Sequence, residues 1–202
     1  MDNDGTIFTI GHSTLEADVF VALLQRHGIS AVADVRSVPA SRFNPQFNRD
    51  ALKATLAKSG IEYVSMGREL GARSEDPNCY VNGKVQYGRL AQAPPYQAGL
   101  ERLASGRQKH RIAIMCSEGD PLDCHRAILV AESLVSLAIP VIHILGDGML
   151  EPHNETRLRL RLLHGLAEAD LFNTLDELTK QALHRQEIKI AYVDDGNEEV
   201  AD

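Results

Sequence analysis

The chain has 202 residues, of which 44% are hydrophobic and 24% charged, and carries a formal net charge of −7. Such a profile fits a soluble globular protein rather than a disordered one. It argues against nonspecific nucleic-acid binding through global charge, while leaving local basic patches open. No apolar run approaches the ~20 residues that span a bilayer, and the start "MDNDGTIFTIG" lacks a secretory signal. A cytoplasmic protein without membrane contact is expected.

In chain order, "TIFTIGHS" reads as a short buried strand ending at Gly11. A helix follows, with Ser13 and Glu16 in capping-box spacing and Leu15, Val19, Leu23 and Leu24 as its apolar stripe; Gly28 ends it. "ISAVADVRS" is the second strand, and two prolines keep "VPASRFNPQ" out of a helix interior. Asn48 is placed to cap the next helix, with Phe47 and Leu52 as a hydrophobic staple, and Gly60 closes it before the strand "IEYVSM". From Gly67 to Pro95 no period is sustained, which predicts a lid or insertion. Tyr96–Ser105 reads as helix, "HRIAIMC" as the fourth strand, Pro121–Leu137 as helix and "IPVIHIL" as the fifth strand. Residues 155–186 read as helical. His143, inside a strand, reads as a satisfied core histidine.

Alternating strands and helices predict a three-layer α/β/α fold with a mainly parallel sheet of about five strands. The expected organisation is one domain over 1–190, with a helical extension over 154–190, and an acidic mobile tail over 191–202. Ligands of such sheets bind beyond the C-terminal strand ends. That edge should gather Gly11, His12 and Ser13; Asp34, Arg36, Ser37, Ser41 and Arg42; Gly67, Arg68, Glu69 and Gly71; Cys116, Glu118, Asp120, Cys124, His125 and Arg126; and Asp147, Gly148 and His153.

The densest segment is "MCSEGDPLDCHR". Asp120–Pro121 fits a helix cap and first position, with Cys124 and His125 one turn further on. Of the three cysteines, Cys79, Cys116 and Cys124, an odd number argues against a disulfide framework. Three readings of Cys116 and Cys124 stand: buried structural thiols, a nucleophile with His125 or His12 as base, or metal ligands together with a histidine. The Cys-x7-Cys-His spacing is not a standard zinc motif, so the nucleophile is the stronger chemical reading. Leu122 and Val130 stand where a cysteine phosphatase loop would carry arginine, and neither a Walker A nor a G-x-G-x-x-G motif is present.

"TIGHST", "DVRSVPAS", Leu70-Gly71, "MCSEGDPLDCHR" and "VIHILGDG" followed by His153 together resemble the domain of unknown function 488 family over residues 6 to 153. The resemblance implies a compact α/β protein with a parallel sheet and names no reaction. The expected function is an enzyme, a cysteine-dependent hydrolase or transferase, acting on a small anionic substrate such as a nucleotide or nucleic-acid component. Cys116 or Cys124 would be nucleophile or ligand, His125 or His12 the base, and Glu118 the acid-base group. Arg36 and Arg126 would clamp the anion, with Ser13, Asp34, Ser41 and Arg42 as further binding residues. The alternative is a ligand- or metal-binding regulatory module without turnover. No particular cofactor or metal follows from the residues.

Overall fold

A computed structural model describes residues 5–169 and 171–194. Its order is β1 (Ile7–Gly11), α1 (Ala17–Arg26), β2 (Ala31–Asp34), α2 (Arg49–Lys58) and β3 (Glu62–Ser65). Then come α3 (Gly67–Leu70), a hairpin of β4 (Tyr80–Val81) and β5 (Lys84–Val85), α4 (Tyr87–Leu90), α5 (Pro94–Gly106) and β6 (Ile112–Cys116). A π-helical stretch (Arg126–Ala131) runs into α6 (Glu132–Ser136). The remaining elements are β7 (Val141–Ile144), β8 (Leu150–Pro152), α7 (His153–Leu163) and α8 (Leu175–Ile190).

The main sheet has six strands in the order β3-β2-β6-β1-β7-β8, parallel except for β8, which runs antiparallel to β7 at the edge. Helices cover both faces, giving the three-layer architecture. The strand period of two sorts side chains between the layers. On β6, Ala113 and Met115 pack with Phe20, Leu24, Leu52 and Leu56 of α1 and α2. Ile112, Ile114 and Cys116 face the other layer, with Leu100 and Leu103 of α5 and Leu129 and Leu134 beyond β6. Register alone therefore points Cys116 away from α1 and α2.

Several local expectations are corrected. Ser13 does not cap α1: its φ is +47°, and Glu16 stands at the cap without a side-chain bond. The cause is backbone pairing, because His12 and Ser13 N–H groups extend the strand contact by donating to Cys116 and Ser117 carbonyls at 3.0 and 2.8 Å. Val19 is exposed, and Phe20, Val21, Leu23 and Leu24 form the buried stripe. Asn48 precedes α2, but its side chain instead accepts from the Ser41 N–H at 2.7 Å. Pro121–Leu137 is not one helix. Asp120 caps only a short 3₁₀ turn, Cys124 is extended (φ −134°, ψ 137°), and helix resumes after His125. Residues 155–186 are divided between α7 and α8.

The segment 67–95 holds short elements rather than a bare loop. Residues 191–194, assigned by sequence to the tail, pair with the hairpin: Val85 N–H donates to Tyr192 O at 3.0 Å and Asp194 N–H to Gly83 O at 2.7 Å. The rest of that tail, 195–202, lies outside the described residues. Among the described residues, no helix is long and apolar enough to cross a membrane.

Candidate functional site

The chain leaves β1 and β2 for helices on one face of the sheet and leaves β6 for a helix on the other. The C-terminal end of β6, flanked by β2 and β1, is therefore a topological switch point, where open α/β sheets form a crevice. Gly11 lets the loop after β6 approach: a Cβ there would overlap the Glu118 carbonyl. A cavity of about 230 Å³ opens at this point, and Cys116, Glu118 and His125 form part of its lining.

The Cys124 break turns that residue back toward β6. His125 Nδ1 lies 3.7 Å from Cys116 Sγ and 3.9 Å from Cys124 Sγ. All three donor atoms fall within 4.8 Å of one another, the one such cluster among the described residues. Glu118 Oε2 is 2.9 Å from Cys124 Sγ, close enough to share a proton, but it lies outside the three-donor cluster. His125 Nε2 is buried without a hydrogen-bond partner, although the Val35 carbonyl acts on the same ring.

Electrostatics separates the two thiols. The Cys116 pKa is pushed well above its ordinary value by its hydrogen bond with Cys124, then by burial and by the Cys124 and Glu118 charges. At Cys124, burial opposes ionisation but is overcome by the Cys116 hydrogen bond, Arg126 and His125, and the pKa falls. Burial opposes charge on His125 also, yet Cys124 and Glu118 raise its pKa. Burial, followed by Cys124, raises that of Glu118. Cys124, the thiol whose pKa falls, is 1% exposed, whereas the pKa of the cavity-lining thiol, Cys116, rises.

The arginines near this cluster are already engaged. Arg36 lines the cavity, but its guanidinium grips Asp34 through Nε (2.9 Å) and Nη2 (2.6 Å). Nη2 also donates to Phe47 O, and Nη1 donates to His12 Nε2 at 3.2 Å. His12 in turn donates from Nδ1 to Ser13 O and stacks on Phe47. Burial pushes its pKa down to about 4, so it is a neutral ring behind Arg36 and not part of the cavity wall. Arg126 is wholly buried and donates to the Glu118 and Gly119 carbonyls at 2.6 and 2.8 Å.

Ser13 lines a neighbouring depression with Asp120 and Arg159. Ser41 braces its own loop, and Arg42 stacks on exposed Phe43. Neither lines the cavity. Arg68 forms an exposed ion pair with Glu75. Residues that sequence reasoning passed over also line the wall: Ala72, Arg73, Tyr87, Ile190 and Tyr192. Only the irregularity of segment 67–95 pointed toward Arg73 and Tyr87.

Fold and cavity together define a three-layer α/β/α protein with a cysteine–histidine cluster at a switch-point crevice. The model for a domain of unknown function, DUF488, matches residues 16–132, more than half of the chain, and the protein belongs to that family. That span includes Cys116, Glu118, Cys124 and His125, whereas His12, Ser13, Ile190 and Tyr192 lie outside it. No curated protein and no solved structure matches the chain.

Proposed function

We propose that Cys116, Cys124 and His125 hold one divalent metal ion of the zinc class, and that the cavity presents it to a small anionic substrate for hydrolysis. The observation that carries this reading is the spacing of the donors. Tetrahedral bonds of about 2.3 Å to sulfur and 2.0 Å to nitrogen set sulfur and nitrogen about 3.5 Å apart. The two sulfur–nitrogen distances here are 3.7 and 3.9 Å. Three protein donors and a fourth position facing a cavity is the arrangement of catalytic rather than structural zinc. Bound metal acts as a Lewis acid and lowers the pKa of bound water. Glu118, beside the cluster but outside it, is positioned to hold and move a proton.

The test is metal content. The full chain purified without chelator should carry about one equivalent, with Cys116→Ser, Cys124→Ser and His125→Ala each lowering it severely and Cys79→Ser leaving it unchanged. Equal trace content in all of these proteins after incubation with zinc, iron(II) and cobalt(II) would refute the proposal.

One observation favours a second reading. The lowered Cys124 and raised His125 pKa values describe a thiolate–imidazolium pair, the activated form of a cysteine nucleophile. Its burial stands against it. Rapid alkylation of Cys124 at neutral pH in metal-free protein would favour this alternative.

A further inference from the structure

Tyr63, Tyr80 and Tyr96 give their hydroxyls a protein partner; of the other two tyrosines, both in the cavity wall, Tyr87 is the more deeply buried and Tyr192 only partly so. Tyr63 donates to Asp34 Oδ2 at 2.8 Å, Tyr80 donates to Ser74 O at 2.9 Å, and Tyr96 shares a bond with Ser133 Oγ at 2.9 Å. Tyr87 is different. Its residue is 5% exposed and its ring packs in the core layer that also holds Cys116 and Cys124. Its backbone N–H is fixed by Glu187 Oε1 of α8 at 2.7 Å, yet its hydroxyl has no hydrogen-bond partner among the described residues. A buried phenol ordinarily finds one. The hydroxyl is not among the occluded unpartnered atoms, and Tyr87 lines the cavity, so the cavity itself must satisfy it. Cys116, Glu118 and His125 line the same cavity as Tyr87, and the Cys124 and Glu187 charges act on its phenol. It therefore stands beside the proposed metal position, with α8 holding it there.

We infer that Tyr87 is a substrate-contacting residue, its hydroxyl donating a hydrogen bond to an oxygen of a small oxyanion bound at the open position beside Cys116, Cys124 and His125. This rests on the metal-centre reading and specifies the ligand class, an oxyanion of the carboxylate or phosphate type. A metal-bound oxygen with a second lone pair directed at a phenol satisfies both groups at once. The anionic neighbours of the hydroxyl leave its proton, rather than its lone pairs, as the useful contact. Arg36, paired with Asp34, and Arg73, stacked on Tyr192, lie in the same wall.

The experiment uses the full chain loaded with cobalt(II), titrated separately with acetate and inorganic phosphate and followed by visible absorption. At least one of the two should perturb the cobalt bands in the parent protein, and Tyr87→Phe should bind that anion about tenfold more weakly with unchanged cobalt stoichiometry. Tyr87→Phe removes a hydroxyl with no protein partner, so its thermal midpoint should match that of the parent; a clear loss of stability would reveal a structural partner and overturn the inference. Cobalt uptake with equal anion affinity in both proteins, or with no response to either anion, overturns the role of Tyr87 alone. Failure to take up cobalt removes the metal centre and this inference with it.

Discussion

Two buried polar clusters lie on the same layer of this protein, and they are built on opposite terms. In one, Thr9 Oγ1 bonds His143 Nδ1 at 2.7 Å, His143 Nε2 bonds His153 Nδ1 at 2.9 Å, and His153 Nε2 bonds Glu132 at 2.9 Å. Arg157 closes this chain on Glu132. Each ring nitrogen has a protein partner, and none of these histidines lines the switch-point cavity. In the other, Cys116 Sγ, Cys124 Sγ and His125 Nδ1 converge on a common point, and a cavity adjoins. A satisfied network staples β1, β7, α6 and α7 together; converging donors with room beside them have the form of a binding site.

The largest effect should come from the buried cation that serves the cysteine cluster. Arg126→Ala strands the Glu118 and Gly119 carbonyls and removes the charge that favours the Cys124 thiolate. It should cost roughly 3–5 kcal/mol in urea denaturation and lower metal content as well. A stable variant with full metal content would show that Arg126 is dispensable to the site.

Acid should reach the histidine network and the ring behind Arg36. Burial holds His143 well below its ordinary pKa and pushes His12 down to about 4. The unfolded chain therefore takes up protons first as pH falls, so stability is complete above the unfolded histidine value near 6.5 and declines between there and 4. His12 alone should cost roughly 2 kcal/mol at pH 5 relative to pH 7.5, with His143 adding in the same direction. Denaturation midpoints that are flat over this range would contradict the neutral assignments.

A smaller change separates the clusters directly. Glu132→Ala leaves His153 and Arg157 without their acceptor and should cost roughly 2 kcal/mol. Metal content should not change. If metal were lost as well, the two clusters would be one coupled unit and the contrast drawn between them would fail.

The strands were legible because their hydrophobic runs are short and bounded by turns. The convergence of His12, Asp34, Cys116 and His125 near one sheet end follows from parallel topology. Four features were not legible. The break at Cys124 competes with a sound cap at Asp120–Pro121, and only tertiary contact with Cys116 and Glu118 selects it. Arg36 and Arg126 look like an anion clamp until their partners, Asp34 and two backbone carbonyls, are seen. Tyr87 sits in a segment without periodicity, fixed from a hundred residues away by Glu187. The antiparallel edge strand β8, "LEP", is too short to carry a pattern.

The most direct measurement is X-ray absorption fine structure at the zinc edge of the zinc-loaded full chain. Donation by Cys116, Cys124 and His125 predicts two sulfur scatterers at about 2.3 Å and one imidazole nitrogen at about 2.0 Å, with a light atom in the fourth position. A first shell made only of oxygen and nitrogen, or one unchanged in Cys116→Ser and Cys124→Ser, would contradict it.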